Sequence, residues 1–244
     1  MLELNGKTAF VFGVASEDSI AWAICQKLAS AGVTLYLGYQ KRFMSRIFQL
    51  KDKLPQIAGF FPLDVASDET TKEFFDAFSA ENPGKKADIL IHAIGFAPRS
   101  CFDRPILFVE DQDINTAMTI SANSLQRCLK FALPYLNPNS STITLTYAAS
   151  NRYVPSYGIM SMAKAALECW TRELACHLGP EGHRVNAISS GPIRTIAASG
   201  IPGFDNILNH VQNNSPLRRN VNQDDVAGAT LWLASPLASG VTGQ

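Results

Sequence analysis

Through the first 95 positions, short runs of apolar and β-branched residues alternate with longer stretches of helical period. The runs Thr8 to Phe12, Val33 to Tyr39, Gly59 to Leu63 and Ala87 to Ile94 read as buried strands. Between them, Ile20 to Ala31, Phe43 to Leu54 and Thr70 to Ser79 carry helical spacing. Apolar strands separated by helices are what a parallel sheet requires, because each crossover lays a helix over one face of the sheet. Farther along, a helix is expected from about Asp113 to Leu136, stopped by Pro138, and then a strand over Ser141 to Tyr147. Ser156 to Leu178 is the strongest helical stretch and ends at Gly179 and Pro180. Arg184 to Ser189 reads as a strand and Asp224 to Ala234 as a helix. The segment between them, Gly191 to about Pro216, is rich in Gly, Ser, Asn and Pro and reads as a lid poor in regular structure. The expectation is one α/β domain over residues 1–244. It is a single doubly wound parallel sheet of the Rossmann type with helices on both faces, covered in part by a lid at about 192–216.

Composition narrows the function classes. With 46% hydrophobic and 17% charged residues, the chain suits a soluble globular fold. Lys plus Arg and Asp plus Glu both total 21, and no charge run speaks for nucleic acid. The five cysteines are odd in number and never spaced as CxxC, so neither a disulfide framework nor a metal site is expected; they read as buried thiols in a reducing compartment. Met1 to Lys7 has no basic-then-apolar pattern, and no apolar run approaches the roughly 18 residues of a membrane span. A cytoplasmic protein without membrane contact is expected.

Candidate chemistry begins where the first strand runs into Gly13-Val14-Ala15-Ser16-Glu17-Asp18-Ser19, with a helix opening near Ser19. Glycine admits close backbone approach there, and a helix N-terminus attracts phosphate. GxGxxG is absent, so an ordinary turn with Ser19 as N-cap reads as well. Gln40, ending the second strand, can bond a ribose hydroxyl without repelling a phosphate, and Lys41 and Arg42 beside it would welcome one. At the third strand's end, Asp64 either accepts from an adenine amino group, with Val65 covering the ring, or caps a helix.

Tyr147 ends the fifth strand, and Tyr157 and Lys164 follow on the next predicted helix. Seven residues is nearly two turns, which would set Tyr157 and Lys164 about 20° apart on one face. An ammonium there would favour a phenolate and lower the tyrosine pKa, while also donating to a ribose hydroxyl. These residues resemble the short-chain dehydrogenase/reductases and, within them, the bacterial enoyl-acyl-carrier-protein reductases. Those enzymes carry a tyrosine, six residues and a lysine, as in Tyr157-Gly158-Ile159-Met160-Ser161-Met162-Ala163-Lys164, with a further tyrosine ten residues upstream, as Tyr147. Gly13 with Ser19-Ile20-Ala21-Trp22, Gln40, Asp64-Val65, Ala93-Ile94-Gly95-Phe96-Ala97-Pro98 and Ser190-Gly191-Pro192-Ile193-Arg194-Thr195 match as well, so the resemblance spans nearly the whole chain.

The resemblance implies reduction of an enoyl thioester on acyl carrier protein by NADH, with NADPH open, in a homotetramer. It implies Tyr147, Tyr157 and Lys164 as catalytic, although a strand-end core tyrosine and a solvated helix lysine are the plain alternatives for Tyr147 and Lys164. Cofactor contacts are implied for Gly13, Ser19, Ile20, Gln40, Asp64, Val65, Ile94 and Lys164, and for Ile193, Arg194, Thr195, Ile196 and Ala197 of the lid. Ala97, Phe102, Met160, Ile201 and Phe204, with Ala197, are implied to line an acyl channel; a packed surface helix is the alternative for the apolar lid residues. Carbonyl-reducing relatives have their tyrosine four residues before the lysine, where Met160 stands here. On a helix the shift is about 4.5 Å, which suits an enolate oxygen better than a carbinol. Another carbonyl-acting short-chain reductase and a non-catalytic dinucleotide-binding scaffold remain the rival readings. Met160 counts against the first, and Tyr157 with Lys164 against the second. In the family a short strand opening on Val-Asp-Gly-Gly follows the position of Gln244, so this final edge strand is expected to be missing here, and Arg99 to Asp103 departs from the family pattern.

Overall fold

The computed structural model describes residues 2–244. Strands β1 (Thr8–Phe12), β2 (Thr34–Tyr39), β3 (Ile57–Pro62), β4 (Ala87–His92), β5 (Leu136–Thr146) and β6 (Arg184–Ser189) form one parallel sheet in the order β3-β2-β1-β4-β5-β6. The helices are α1 (Ile20–Ser30), α2 (Met44–Leu50), α3 (Asp68–Glu81), α4 (Ser100–Asp103), α5 (Asp111–Met118), α6 (Ser124–Ala132), α7 (Ile159–Leu178), α8 (Phe204–Asn214) and α9 (Gln223–Ala234). None of the described helices is long and apolar enough to cross a membrane.

Alternation along β1 builds the two faces. Ala9 and Val11 meet Ile24 and Leu28 of α1 in one buried cluster, which Ala227 and Leu233 of α9 join. Phe10 and Phe12 point the other way, into a cluster with α3, α6 and α7. There Phe10 meets Phe78 edge-on at 4.8 Å, and Phe12 meets Phe74 at 5.1 Å, the geometry aromatic quadrupoles favour. Local signals set the helix starts: Ser67 caps α3 by accepting from Thr70 N, and Asn222 and Asp225 form a reciprocal capping box on α9.

Four expectations change. The helix placed at Asp113 to Leu136 begins at Asp111 and is interrupted by a π turn over Thr119–Asn123. Pro138 does not stop it; β5 already begins at Leu136, and Asn137, Pro138 and Asn139 bulge out between Leu136 and Ser141, the residues that pair with β4. The helix expected from Ser156 begins only at Ile159. The segment read as poor in regular structure contains the eleven-residue α8. Of the cysteines, only Cys25, Cys101 and Cys128 are buried, whereas Cys169 and Cys176 are exposed. Beyond α9, Thr242, Gly243 and Gln244 hydrogen-bond along β6, and no seventh strand forms among the described residues.

Candidate active site

β1 and β4 are neighbours whose connections leave toward opposite edges of the sheet, and at such a switch point the loops beyond the strand ends part into a crevice. A cleft of about 740 Å3 opens there. Its floor is Gly13 to Ser16, Gln40, Ala93 to Ala97 and the residues around Tyr147, and its cover comes from Gly191 to Ile193 and Thr195 to Ile201 with Phe204.

The turn after β1 is built for close approach. Gly13 has φ +104°, and a Cβ at that position would lie 2.0 Å from Ala93 O, so only glycine fits. Ser19 both lines the cleft and caps α1, its Oγ accepting from Trp22 N at 3.2 Å; the two readings of this residue are compatible. Ser16 Oγ is buried on the cleft wall with no hydrogen-bond partner. An unsatisfied hydroxyl beside a helix N-terminus suits an anionic ligand oxygen. The uncharged Gln40 reaches the same cleft, with Arg42 beside it. These features fit a dinucleotide.

At the other end, Tyr157 stands one residue ahead of Gly158, whose φ of +51° turns the chain into α7. Tyr157 is therefore not on the helix, and the face-sharing expected from a seven-residue spacing does not apply. It reaches the cleft through the turn that Tyr157 N closes on Val154 O. A Cβ on Gly158 would sit 2.7 Å from Cys101 O, so α4 packs directly against this turn. The Tyr147 ring lies 4.9 Å from that of Tyr157, tilted by 53°. Both line the cleft, so Tyr147 is not simply a strand-end core residue.

Lys164 is on α7, buried, and its ammonium donates to Leu145 O at 2.8 Å. Burial lowers its pKa to about 8, opposed by the carboxylate of Glu168. It is not a solvated surface lysine. Burial pushes the Tyr157 phenol well above its ordinary value, and Tyr147 adds to the shift. The expected lowering of this pKa by Lys164 is thus not found: desolvation of a phenolate sets the direction. Tyr157 is a protonated hydrogen-bond donor.

Most other predicted positions meet at the cleft: Ile20, Val65, Ile94, Ala97, Phe102, Met160, Ile193, Thr195, Ile196, Ala197, Ile201 and Phe204 all line it. Two do not. Arg194 is exposed and turns outward to pair with Asp205. Asp64 is also exposed; its carboxylate accepts from Ala66 N at 3.0 Å, so it makes a local turn, and the cap of α3 is Ser67. The sequence reading overlooked Ser121, which sits in the π turn. Its hydroxyl accepts from Phe96 N at 2.8 Å and donates to Phe96 O at 2.6 Å, fixing the loop after β4. A serine inside a helical stretch gave no local sign of that role. The π turn aims it, a use such turns commonly have.

The family model described as Enoyl-(Acyl carrier protein) reductase matches residues 13–244. The NADH-dependent enoyl-[acyl-carrier-protein] reductase of Synechocystis is 40% identical, with 100% of this chain and 95% of that protein aligned. Among solved structures, the Bacillus cereus enoyl-acyl carrier protein reductase with NADP+ and indole naphthyridinone superposes with a TM-score of 0.95 at 37% identity, covering 100% of this chain and 95% of that one. The Anaplasma phagocytophilum enzyme with NAD gives 0.91 at 34% identity, covering 98% and 89%. With the family model matched over residues 13–244 and relatives 40% identical over the full chain, the chain belongs to the enoyl-acyl-carrier-protein reductase family.

Proposed function

We propose that the protein reduces the trans-2 double bond of enoyl thioesters on acyl carrier protein, with NADH as hydride donor, the last reductive step of fatty acid chain elongation. The observation that carries this reading is the pairing of a protonated Tyr157 with an apolar cleft wall, at a site whose other half fits a dinucleotide.

NADH, when bound, would supply hydride to the β-carbon of the enoyl group and become NAD+, and a proton from solvent taken up at the α-carbon would complete the saturated thioester. Gly13, Ser16 and the N-terminus of α1 would receive its phosphates, and Gln40 would face its adenosine ribose. Val65, Ile94 and Ile193 would contribute apolar contacts, and Lys164 would hold the nicotinamide ribose. As negative charge gathers on the thioester oxygen, Tyr157 donates a hydrogen bond to it from a site where burial excludes competing water. Tyr147 packs beside that phenol and limits where it points. Ala97, Phe102, Met160, Ile201 and Phe204 form the acyl wall, and residues 192–216 close over both ligands as a lid. The partners we propose are the acyl carrier protein substrate and three further copies of the chain, the exposed Met162 and long face of α7 serving as a subunit surface. A cytoplasmic location keeps the exposed thiols of Cys169 and Cys176 reduced.

The test follows absorbance at 340 nm as purified protein meets crotonyl or dodecenoyl thioester with NADH, and separately with NADPH. Enoyl-dependent oxidation is expected with NADH, and oxidation with NADPH would assign Lys41 and Arg42 a role. No oxidation with either, while both still bind, would overturn the catalytic reading in favour of a scaffold.

A further inference from the structure

Gln223 is the first residue of α9 and outside the cleft lining, yet its side-chain amide reaches the backbone of both the turn after β1 and the lid. Its Nε2 donates to Asp18 O at 2.9 Å, in the turn between β1 and α1, and to Arg194 O at 3.5 Å, two residues into the lid. A carboxamide nitrogen has two hydrogens, so one group can serve two carbonyls at once. The carbonyl of Asp18 belongs to the residue immediately before the Ser19 cap, on the turn that faces the cofactor phosphates. That of Arg194 lies between Ile193 and Thr195, which both line the cleft. The capping box of Asn222 and Asp225 fixes the backbone from which Gln223 reaches. Arg194, its guanidinium committed to Asp205 of α8, carries any displacement of its own backbone into the lid helix.

We propose that Gln223 is a positioning residue that couples cofactor binding to lid closure, tying the phosphate-facing turn to the root of the lid. The 2.9 Å arm holds the turn and the looser 3.5 Å arm takes up the lid root as it closes. A ligand that orders the turn thereby favours the closed lid, and a closed lid in return raises affinity for the cofactor, as linkage requires. The proposal rests on the reductase reading only for the position of the cofactor.

The test compares wild type, Gln223→Ala and Gln223→Glu by hydrogen exchange of residues 193–210 with and without NADH, alongside steady-state kinetics. Glutamate keeps the length and shape of the side chain and favours a helix N-terminus, so the fold is retained, but its carboxylate cannot donate to a carbonyl. NADH is expected to protect the lid in wild type. Both variants are expected to lose most of that protection and to raise KM for NADH about fivefold, at the lower end of usual coupling energies. If Gln223→Glu keeps wild-type protection and KM, the side chain only fills space and the proposal fails. If wild type itself shows no NADH-dependent protection, it fails as well. If protection is lost in the variants but wild type consumes no NADH with enoyl thioester, the coupling stands and the proposed reaction falls.

Discussion

In the mechanism we propose, Tyr157 works by keeping its proton. Burial raises its pKa, so at neutral pH the phenol offers a hydrogen bond to an oxygen that becomes anionic. Tyr157→Phe is expected to cut kcat by about 100-fold, the usual loss of one such donor, while NADH affinity measured by fluorescence titration stays near wild type. Lys164, lowered to about 8 by burial, is charged below that pH and neutral above it. The kcat/KM for NADH is therefore expected to decline as pH rises through about 8, and Lys164→Met to remove that limb along with most activity. His92 lies outside the reaction but reports on the core. It is buried between Thr144 Oγ1 at 2.9 Å and Ser124 Oγ at 2.8 Å, and burial, with the charge of Lys164, lowers its pKa to about 3. The unfolded chain takes up its proton near the ordinary 6.5 and the folded chain only near 3, so between these values stability falls with falling pH, by up to about 1.4 kcal/mol per unit for one group. His183, also lowered by burial, pulls the same way. Thermal melts from pH 7 to 4.5 should show a steadily falling midpoint, with the slope reduced in His92→Gln.

The site is held by turns between elements. Gly13→Ala would force a Cβ to within 2.0 Å of Ala93 O at a positive φ, so β1 and β4 must part at the cofactor end. Calorimetry should find NADH affinity lowered at least tenfold and the melting midpoint reduced. Gly158→Ala acts on the other ligand: its Cβ would press on Cys101 O and swing Tyr157 away from the cleft. The expected result is a lower kcat with NADH affinity nearly unchanged. Strands β1, β2, β4 and β6 were legible in the sequence almost residue for residue, because an uninterrupted apolar run has few other uses. The entry to α7 was not. Tyr157 falls within a good helical pattern, but the chain turns at Gly158 with a positive φ, where the carbonyl of Cys101 in α4 leaves no room for a side chain. The lid was legible as apolar, but α8 was hidden by its Asn-rich composition, and helix formation there depends on burying Phe204 against the cleft.

At the scale of the molecule, one buried cation ties the chain's last residues to the sheet. Arg184 on β6 donates to Leu233 O at 2.7 Å, Ser235 O at 3.4 Å and Val241 O at 3.3 Å, joining the end of α9 to the stretch that runs beside β6. Arg184→Ala would remove these bonds from carbonyls that keep Ser141 Oγ, Ala238 N and Asn186 Nδ2 as partners, so a loss of about 1 kcal/mol is expected, read as a lower denaturant midpoint with an unchanged slope. The sequence by itself determined the parallel sheet, the turn at Gly13, the candidacy of Tyr157 and Lys164 and the family, because periodicity and residue type are local properties that any correct fold must honour. It did not determine that Lys164 would be buried against Leu145 O, that Tyr157 would keep its proton, or that Arg194 would pair with Asp205 and Asp64 with the backbone of Ala66. Those outcomes depend on desolvation and on which backbone carbonyls converge in space, and residues distant in the chain meet only once the sheet has closed.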